Sequence, residues 1–291
     1  MKAASPSLIQ SYFPAPAAEK ILNLKSVLVS LSGGVDSSVI LALLAGVMPQ
    51  GGLRALIFKS FLHYGNERER ALEMCRLFRV AVQVVEGPEQ RDKGCMWNVP
   101  DRCARCKTLR VRILEREAQR LNAVVVDGTN ADDVKDPTRL GNKVLAQCKN
   151  LFSPFAEGGL TKEQVRKLGA ELEIPWAYEP ATACLATRFP SGYPLTRGEC
   201  QRAAAAETAL RDAGFKVRVR IYEDTICLES LERDCGVLSA GRDKILPLLK
   251  GLGFERVLAD LEGYKSGRSW LPRRSSPDDT LKGGNSTCPT K

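Results

Sequence analysis

The stretch that most restricts what this chain can fold into runs from Val27 to Val39 and reads VLVSLSGGVDSSV. Val27 to Leu31 are almost all β-branched or large and apolar. Small and polar residues follow, and Val39, Ile40, Leu43, Leu44 and Val47 then recur at helical spacing. This pattern predicts a buried strand, a tight turn and a helix. Gly33 and Gly34 remove Cβ atoms from the turn, so backbone N–H groups can approach an anion, and the helix aims its positive end at the same point. Ser30, Ser32, Ser37 and Ser38 add hydroxyls, which makes the whole turn a candidate phosphate site. No Lys follows the second Gly, so the loop differs from G-x-x-x-x-G-K-[ST]; Asp36 stands inside it instead. A carboxylate there repels bare phosphate. It implies either a bridging Mg²⁺ or a hydrogen bond that fixes the loop.

Ser32, Gly33, Gly34, Asp36 and Ser37 resemble the SGGxDS loop of the PP-loop pyrophosphatases. That resemblance implies cleavage of ATP between its α- and β-phosphates, with a carboxylate or carbonyl oxygen adenylylated and pyrophosphate released. The competing reading is a Gly-rich turn with no ligand. The full strand, loop and helix context favours phosphate.

Leu53 to Phe58, Ala81 to Val85 and Ala123 to Val126 read as three further strands, with a helix from about Asn66 to Phe78 between the first two. Strands alternating with helices predict an α/β fold, a parallel sheet covered on both faces. Ligands bind beyond the carboxyl ends of such strands. Asp127-Gly128-Thr129-Asn130-Ala131-Asp132-Asp133 lies on that edge and offers contacts for a ribose, an adenine edge or Mg²⁺. Asp, Gly and Asn are also ordinary turn residues. Sharing a rim with the phosphate loop is what favours nucleotide contact for Gly128, Thr129 and Asn130.

With 291 residues, 44% of them hydrophobic, the chain can build one large or two modest domains. Its +9 charge and pI near 9.1 favour anionic partners such as nucleotides or RNA, although a scattered basic surface has the same signature. Ten cysteines are spread along it without a signal-peptide pattern, which predicts reduced thiols and a cytoplasmic location. No apolar run approaches the ~20 residues of a membrane span. Residues 1–20, rich in Pro and small side chains, read as a flexible arm; 21–180 as the nucleotide-binding domain; 181–267 as a smaller α+β domain; and 268–291 as a disordered tail.

Cys103 and Cys106 have C-x-x-C spacing, but no second pair lies nearby to complete a structural zinc site. A redox pair, a three-cysteine cluster site completed by a distant Cys and two inert helix-start cysteines all remain open. Thr161 with Gln164 forms a capping box for a helix reaching about Leu172. Cys184 follows in a loop of small residues, four positions before Arg188, whose charge would depress the thiol pKa if the two side chains met. A helix over Glu199–Asp212 leads to Lys216–Tyr222, where Arg218 and Arg220 share one strand face and Val217, Val219 and Ile221 the other. Two adjacent arginines suit a phosphate or carboxylate. Strands at Thr225–Glu229 and Arg256–Leu261, with a helix from Gly241 to Lys250, complete this part.

Taken in order, SGGVDSS, PDRCARCK, DGTNADD, ACLATRFPSG, VRVR and ADLEGYKSG resemble the ATP-dependent sacrificial sulfur transferases, the LarE family, over about Leu24 to Gly267. The resemblance implies an adenine nucleotide alpha-hydrolase-like sheet and an enzyme acting on pyridinium-3,5-biscarboxylate mononucleotide, on the way to a nickel-pincer nucleotide. It implies ATP and Mg²⁺, a tentative Asp36 ligand to that Mg²⁺, and a hexamer. Cys184 matches the sulfur-donating cysteine, with Asp36 and Arg188 beside it in the catalytic set. Arg218 and Arg220 match substrate or phosphate contacts, with Glu229, Asp260 and Glu262 as further candidates. Some similar proteins hold a [4Fe–4S] cluster on three cysteines, a role open here to Cys103, Cys106 and Cys184. The chain departs from the family at Arg139-Leu140-Gly141, Lys143, Lys149 and after Gly263. A PP-loop tRNA thiolase and a non-catalytic nucleotide-binding protein of the same fold are the rival readings; a small-molecule nucleotide is favoured over nucleic acid as partner, and no membrane is expected.

Overall fold

The computed structural model describes residues 1–136, 141, 144, 148, 150–180, 182–232 and 236–265. Arg139, Leu140, Lys143, Lys149, Ser266, Gly267 and the expected tail lie outside them. The chain divides into two compact units, one of Met1–Gln90 with Cys103–Thr182, the other of Arg91–Arg102 with the residues from Ala183 onward. The short segment Arg91–Arg102, expected inside the nucleotide-binding domain, belongs to the second unit.

The first unit is built on five parallel strands, β1 (Val27–Ser30), β2 (Leu53–Lys59), β3 (Ala81–Glu86), β4 (Val124–Val126) and β5 (Leu151–Phe152), in the order β3-β2-β1-β4-β5. Val27 pairs with both Leu53 and Val124 across β1, so this strand is hydrogen-bonded on both sides and its Val27, Leu28 and Val29 are buried. The α/β expectation holds. The two-residue β5 escaped the sequence because it is too short to show alternation.

Residues 1–20, expected to be a flexible arm, instead form α1 (Pro6–Tyr12) and most of α2 (Ala15–Leu22). Ser5 caps α1 by accepting from Leu8 N at 3.2 Å, with Pro6 at the first helical position. Ile9, Phe13, Ala18 and Ile21 are buried in the main core, and Lys2 N donates to Leu172 O at 2.9 Å. The same core takes in α3 (Val35–Ala45), nearly all of whose side chains are buried, and the inner face of α4 (Glu67–Leu77). In the second unit, the short α5 (Lys93–Met96) precedes α6 (Arg102–Leu121), whose first residue closes that segment. Leu114 and Ala118 of α6 cover the other sheet face, against Leu28, Leu56, Phe58 and Val125. Helices α7 (Ala131–Lys135), α8 (Pro154–Glu157) and α9 (Lys162–Glu171) complete the described helices of the first unit. The predicted capping box is present, with Gln164 N donating to Thr161 Oγ1 and Thr161 N to Gln164 Oε1.

The second unit has a mixed sheet of β6 (Val217–Tyr222), β7 (Thr225–Ser230) and β8 (Arg256–Asp260), antiparallel between β6 and β7 and parallel between β7 and β8. Helices α10 (Arg197–Asp212), α11 (Gly236–Ala240) and α12 (Arg242–Gly251) accompany it. Among the described residues, no helix is long and apolar enough to cross a membrane.

Candidate functional site

Strand β1 is where the sheet order reverses: β2 and β3 lie on one side, β4 and β5 on the other. The crevice beyond β1 and β4 is where such sheets bind ligands. SGGVDSS follows β1 and DGTNADD follows β4, so the two sequence motifs meet there. A Cβ placed on Gly128 would come within 2.8 Å of the Asp36 carbonyl carbon and 2.9 Å of Ser37 N. Asn130 Nδ2 donates to Asp36 Oδ1 at 3.3 Å, tying one loop to the other.

Within the phosphate loop the donors converge. Ser32 N and Gly33 N both reach Ser37 Oγ at 3.2 Å, the Ser32 and Ser37 hydroxyls are 3.0 Å apart, and Gly34 N donates to Ser32 Oγ at 3.3 Å. Ser37 Oγ is the point on which these N–H groups converge, and the first turn of α3 adds N–H groups without intrahelical acceptors. Gly33 adopts φ +86°, and an added Cβ would lie 1.8 Å from Glu67 O, so only glycine fits between this loop and α4. Ser38 is spoken for: it is buried and accepts from Trp176 Nε1 at 3.3 Å.

Asp36 is half-buried, and burial is the main cause of its raised pKa; Lys162 and the Asn130 bond oppose the rise, while Asp133 adds to it. Asp36, with Asp133 near it, is the carboxylate of this loop that could hold Mg²⁺. Asp127 and Asp133 serve the fold: Asp127 accepts from Thr129 Oγ1 (2.8 Å) and Ser153 Oγ (2.7 Å), and Asp133 and Asn130 cap α7 reciprocally. Two acidic groups on this rim carried no sequence signal. Glu67 lies 3.8 Å from where a Gly34 Cβ would sit, and burial pushes its pKa to about 7. Glu89, fully buried, takes Arg110 at 2.6 and 3.2 Å. Arg110 also bonds His63, the chain's single histidine, which burial and this cation hold neutral with a pKa near 4.

In the second unit, Cys184 precedes a one-turn 3-10 helix, Leu185–Arg188. Arg188 is 1% exposed and pairs with Glu207 of α10 through two bonds of 3.0 and 2.7 Å. Its Nη1 donates to the carbonyls of Ala183 (2.7 Å) and Cys184 (3.2 Å). The Arg188 guanidinium thus grips the backbone on which the thiol is mounted. Glu207 also accepts from Val219 N at 3.1 Å and lies 4.0 Å from Arg218 Nε. Arg220 pairs with the fully buried Glu229 at 3.0 Å and donates to Thr187 O. Arg218 Nε and Nη1 and Glu229 Oε1 are buried with no hydrogen-bond partner among the described residues, and Tyr264 stacks 5.4 Å from the Arg218 guanidinium. Burial, with Arg188 and Arg220 close by, lowers the Arg218 pKa.

No family model matches the chain. A protein of Lactiplantibacillus plantarum named pyridinium-3,5-bisthiocarboxylic acid mononucleotide synthase is 30% identical over 248 residues, which cover 84% of this chain and 89% of that one. The chain belongs to the LarE family. Uncharacterised proteins of Synechocystis and Methanocaldococcus jannaschii are similar too, at 31% over 247 residues and 29% over 250, covering 83% and 85% of this chain and 90% and 94% of theirs.

In this LarE-family chain the expected residues fall into two groups. The phosphate loop, Gly128, Thr129 and Asn130 come together in the first unit; Cys184, Arg188, Arg218, Arg220 and Glu229 come together in the second. Asp260 pairs in register with Glu229, while Glu262 is exposed and pairs with Lys265. Cys103 and Cys106 sit one turn apart at the start of α6 in the first unit, whereas Cys184 belongs to the second. Among the described residues no three His, Cys, Asp or Glu side chains converge as a metal site, so the cluster trio is not assembled within either unit.

Proposed function

We propose that this chain is an ATP-dependent sulfur transferase that turns a carboxylate of pyridinium-3,5-biscarboxylate mononucleotide into a thiocarboxylate, a reading supported by its Lactiplantibacillus relative, which is named as a synthase of the bisthiocarboxylic acid mononucleotide. The observation that carries the reading is the second unit's pairing of a backbone-clamped thiol, Cys184, with an arginine whose buried Nε and Nη1 lack partners, both braced by Glu207. A buried donor without an acceptor is costly, and an anionic substrate group would satisfy it.

In this reading the substrate carboxylate attacks the α-phosphorus of ATP, the bond to the β-phosphate oxygen breaks, and pyrophosphate departs against the N–H groups of the α3 first turn and the Ser32 hydroxyl. Asp36 would hold Mg²⁺, which supplies charge neutralisation on the phosphates when bound. The Cys184 thiolate then attacks the acyl carbon and AMP leaves, forming a thioester. Loss of the Cys184 Cα proton to a base breaks the Cβ–S bond, releasing the thiocarboxylate and leaving dehydroalanine at position 184. Mass spectrometry of the Cys184 peptide after turnover with ATP, Mg²⁺ and the dicarboxylate tests this. Dehydroalanine in step with product is the expected result. Product with an unchanged cysteine, or no AMP and pyrophosphate, overturns it.

A further inference from the structure

The loop from Ala183 to Pro190 has little regular structure of its own, yet it is held almost carbonyl by carbonyl. Arg188 takes those of Ala183 and Cys184, Arg220 that of Thr187, and Asn98 those of Ala186 (3.1 Å), Phe189 (3.2 Å) and Pro190 (2.8 Å). Asn98 comes from Arg91–Arg102, the short segment that belongs to the second unit. It is 6% exposed and sits at φ +48°, a left-handed conformation that Asn adopts more readily than most residues. Arg102 Nη1 donates to Asn98 Oδ1 at 2.8 Å, which fixes the amide so that Nδ2 faces the three carbonyls. The Asn98 backbone carbonyl takes Gly192 N at 3.0 Å and Ser191 Oγ at 3.2 Å. Side chain and main chain of one residue thus clasp both ends of the segment that follows Cys184.

We infer that Asn98, oriented by Arg102, is a positioning residue for the sulfur-releasing step at Cys184. The inference rests on the reading of Cys184 given above. Elimination requires the Cα–H bond of residue 184 to align with its Cβ–S bond, and the backbone orientation at 184 sets where that Cα–H points. Adenylylation makes no such demand. Thioester formation needs only that sulfur reach the acyl carbon, so loosening the clasp acts chiefly on the last step.

The test uses the full chain with Asn98→Gly, which keeps the left-handed backbone and removes the amide, and Asn98→Asp, which keeps the shape and turns an acceptor toward three carbonyls. Leu249→Ala, a buried apolar truncation in α12, controls for lost stability. In single turnover, AMP and pyrophosphate should form within about twofold of wild type in both Asn98 variants. Thiocarboxylate release should slow by about a hundredfold, with the substrate–Cys184 thioester accumulating in the intact-mass spectrum. The inference is overturned if release falls no further than in Leu249→Ala, or if pyrophosphate formation and release fall together. Iodoacetamide labelling of Cys184, scored against the exposed Cys103 in the same molecule, decides separately from turnover. A changed Cys184-to-Cys103 ratio in both Asn98 variants supports the clasp, and an unchanged ratio overturns it even if Cys184→Ala retains thiolation and the functional reading itself fails.

Discussion

The pair that carries the Cys184 loop, Arg188 with Glu207, makes a quantitative demand. Both side chains are buried, at 1% and 6% exposure, and the Glu207 carboxylate serves Arg188 Nε, Arg188 Nη2 and Val219 N while lying 4.0 Å from Arg218. In Glu207→Gln the amide oxygen can replace only part of that acceptor set, and the amide nitrogen turns a donor toward a guanidinium. Two buried cations are left without their counter-charge. Removing one partner of a buried ion pair costs about 3–5 kcal/mol. Against a total of about 5–15 kcal/mol for a domain, this brings the second unit close to unfolding. With a urea slope of about 1–3 kcal/mol per molar, the midpoint should fall by roughly 2 M. Because two units need not melt together, the titration is best read through amide exchange of residues 197–222. Replacing both partners, Arg188→Met with Glu207→Leu, should recover more than half of the lost stability. Sulfur transfer should not recover, because the carbonyls of Ala183 and Cys184 have lost their donor. A Glu207→Gln loss below about 1 kcal/mol would refute the reasoning, since that is the range of a solvated surface pair.

Two further outcomes follow from the phosphate loop. Gly33→Ala puts a methyl 1.8 Å from the Glu67 carbonyl at φ +86°, so α4 has to give way; unfolding free energy should fall by about 1–3 kcal/mol and calorimetric affinity for ATP by at least about tenfold, and unchanged affinity would count against the site. Glu67, with its pKa raised from 4.5 to about 7, holds its proton in the folded state at pH values where the unfolded chain has lost it, so the folded form loses stability as pH rises between those two values. An anion in the adjacent loop raises that pKa further, and ATP binding near pH 7.5 should take up protons. Titrations in buffers of different ionisation enthalpy should show this in wild type and not in Glu67→Gln; equal uptake in both removes Glu67 from the site.

The central strand, the Gly-rich turn and the α9 capping box were legible because their signals are local. A buried strand needs its own apolar run, a positive φ its own glycine, and a cap a residue three positions away. The first twenty residues misled for the same reason in reverse. Helices of seven and eight residues interrupted by Pro14 are too short to display a period, and what orders them is burial of Ile9, Phe13, Ala18 and Ile21 against residues far along the chain. Ser5 before Pro6 was the available clue, an N-cap followed by a residue suited to the first helical turn. Arg188 shows a different limit. Its place near Cys184 was visible, but its partners depend on Glu207 in another element, and nothing local shows that an arginine will hold a backbone carbonyl and a distant carboxylate.

The same distinction between total and local charge bears on what this chain binds. An excess of +9 over 291 residues identifies no site, because most of those cations are solvated or paired at the surface. The informative imbalance is smaller and buried: Arg188, Arg218 and Arg220 stand against Glu207 and Glu229, three guanidinium groups for two carboxylates. Arg188 and Arg220 take the bidentate or short contacts, so the deficit falls on Arg218, which keeps Nε and Nη1 unsatisfied and lowers its own pKa through burial beside two like charges. One negative group completes the set. In the proposed reading the substrate supplies it, as an acceptor able to take two N–H donors, which describes a phosphate or carboxylate rather than a metal or a neutral base.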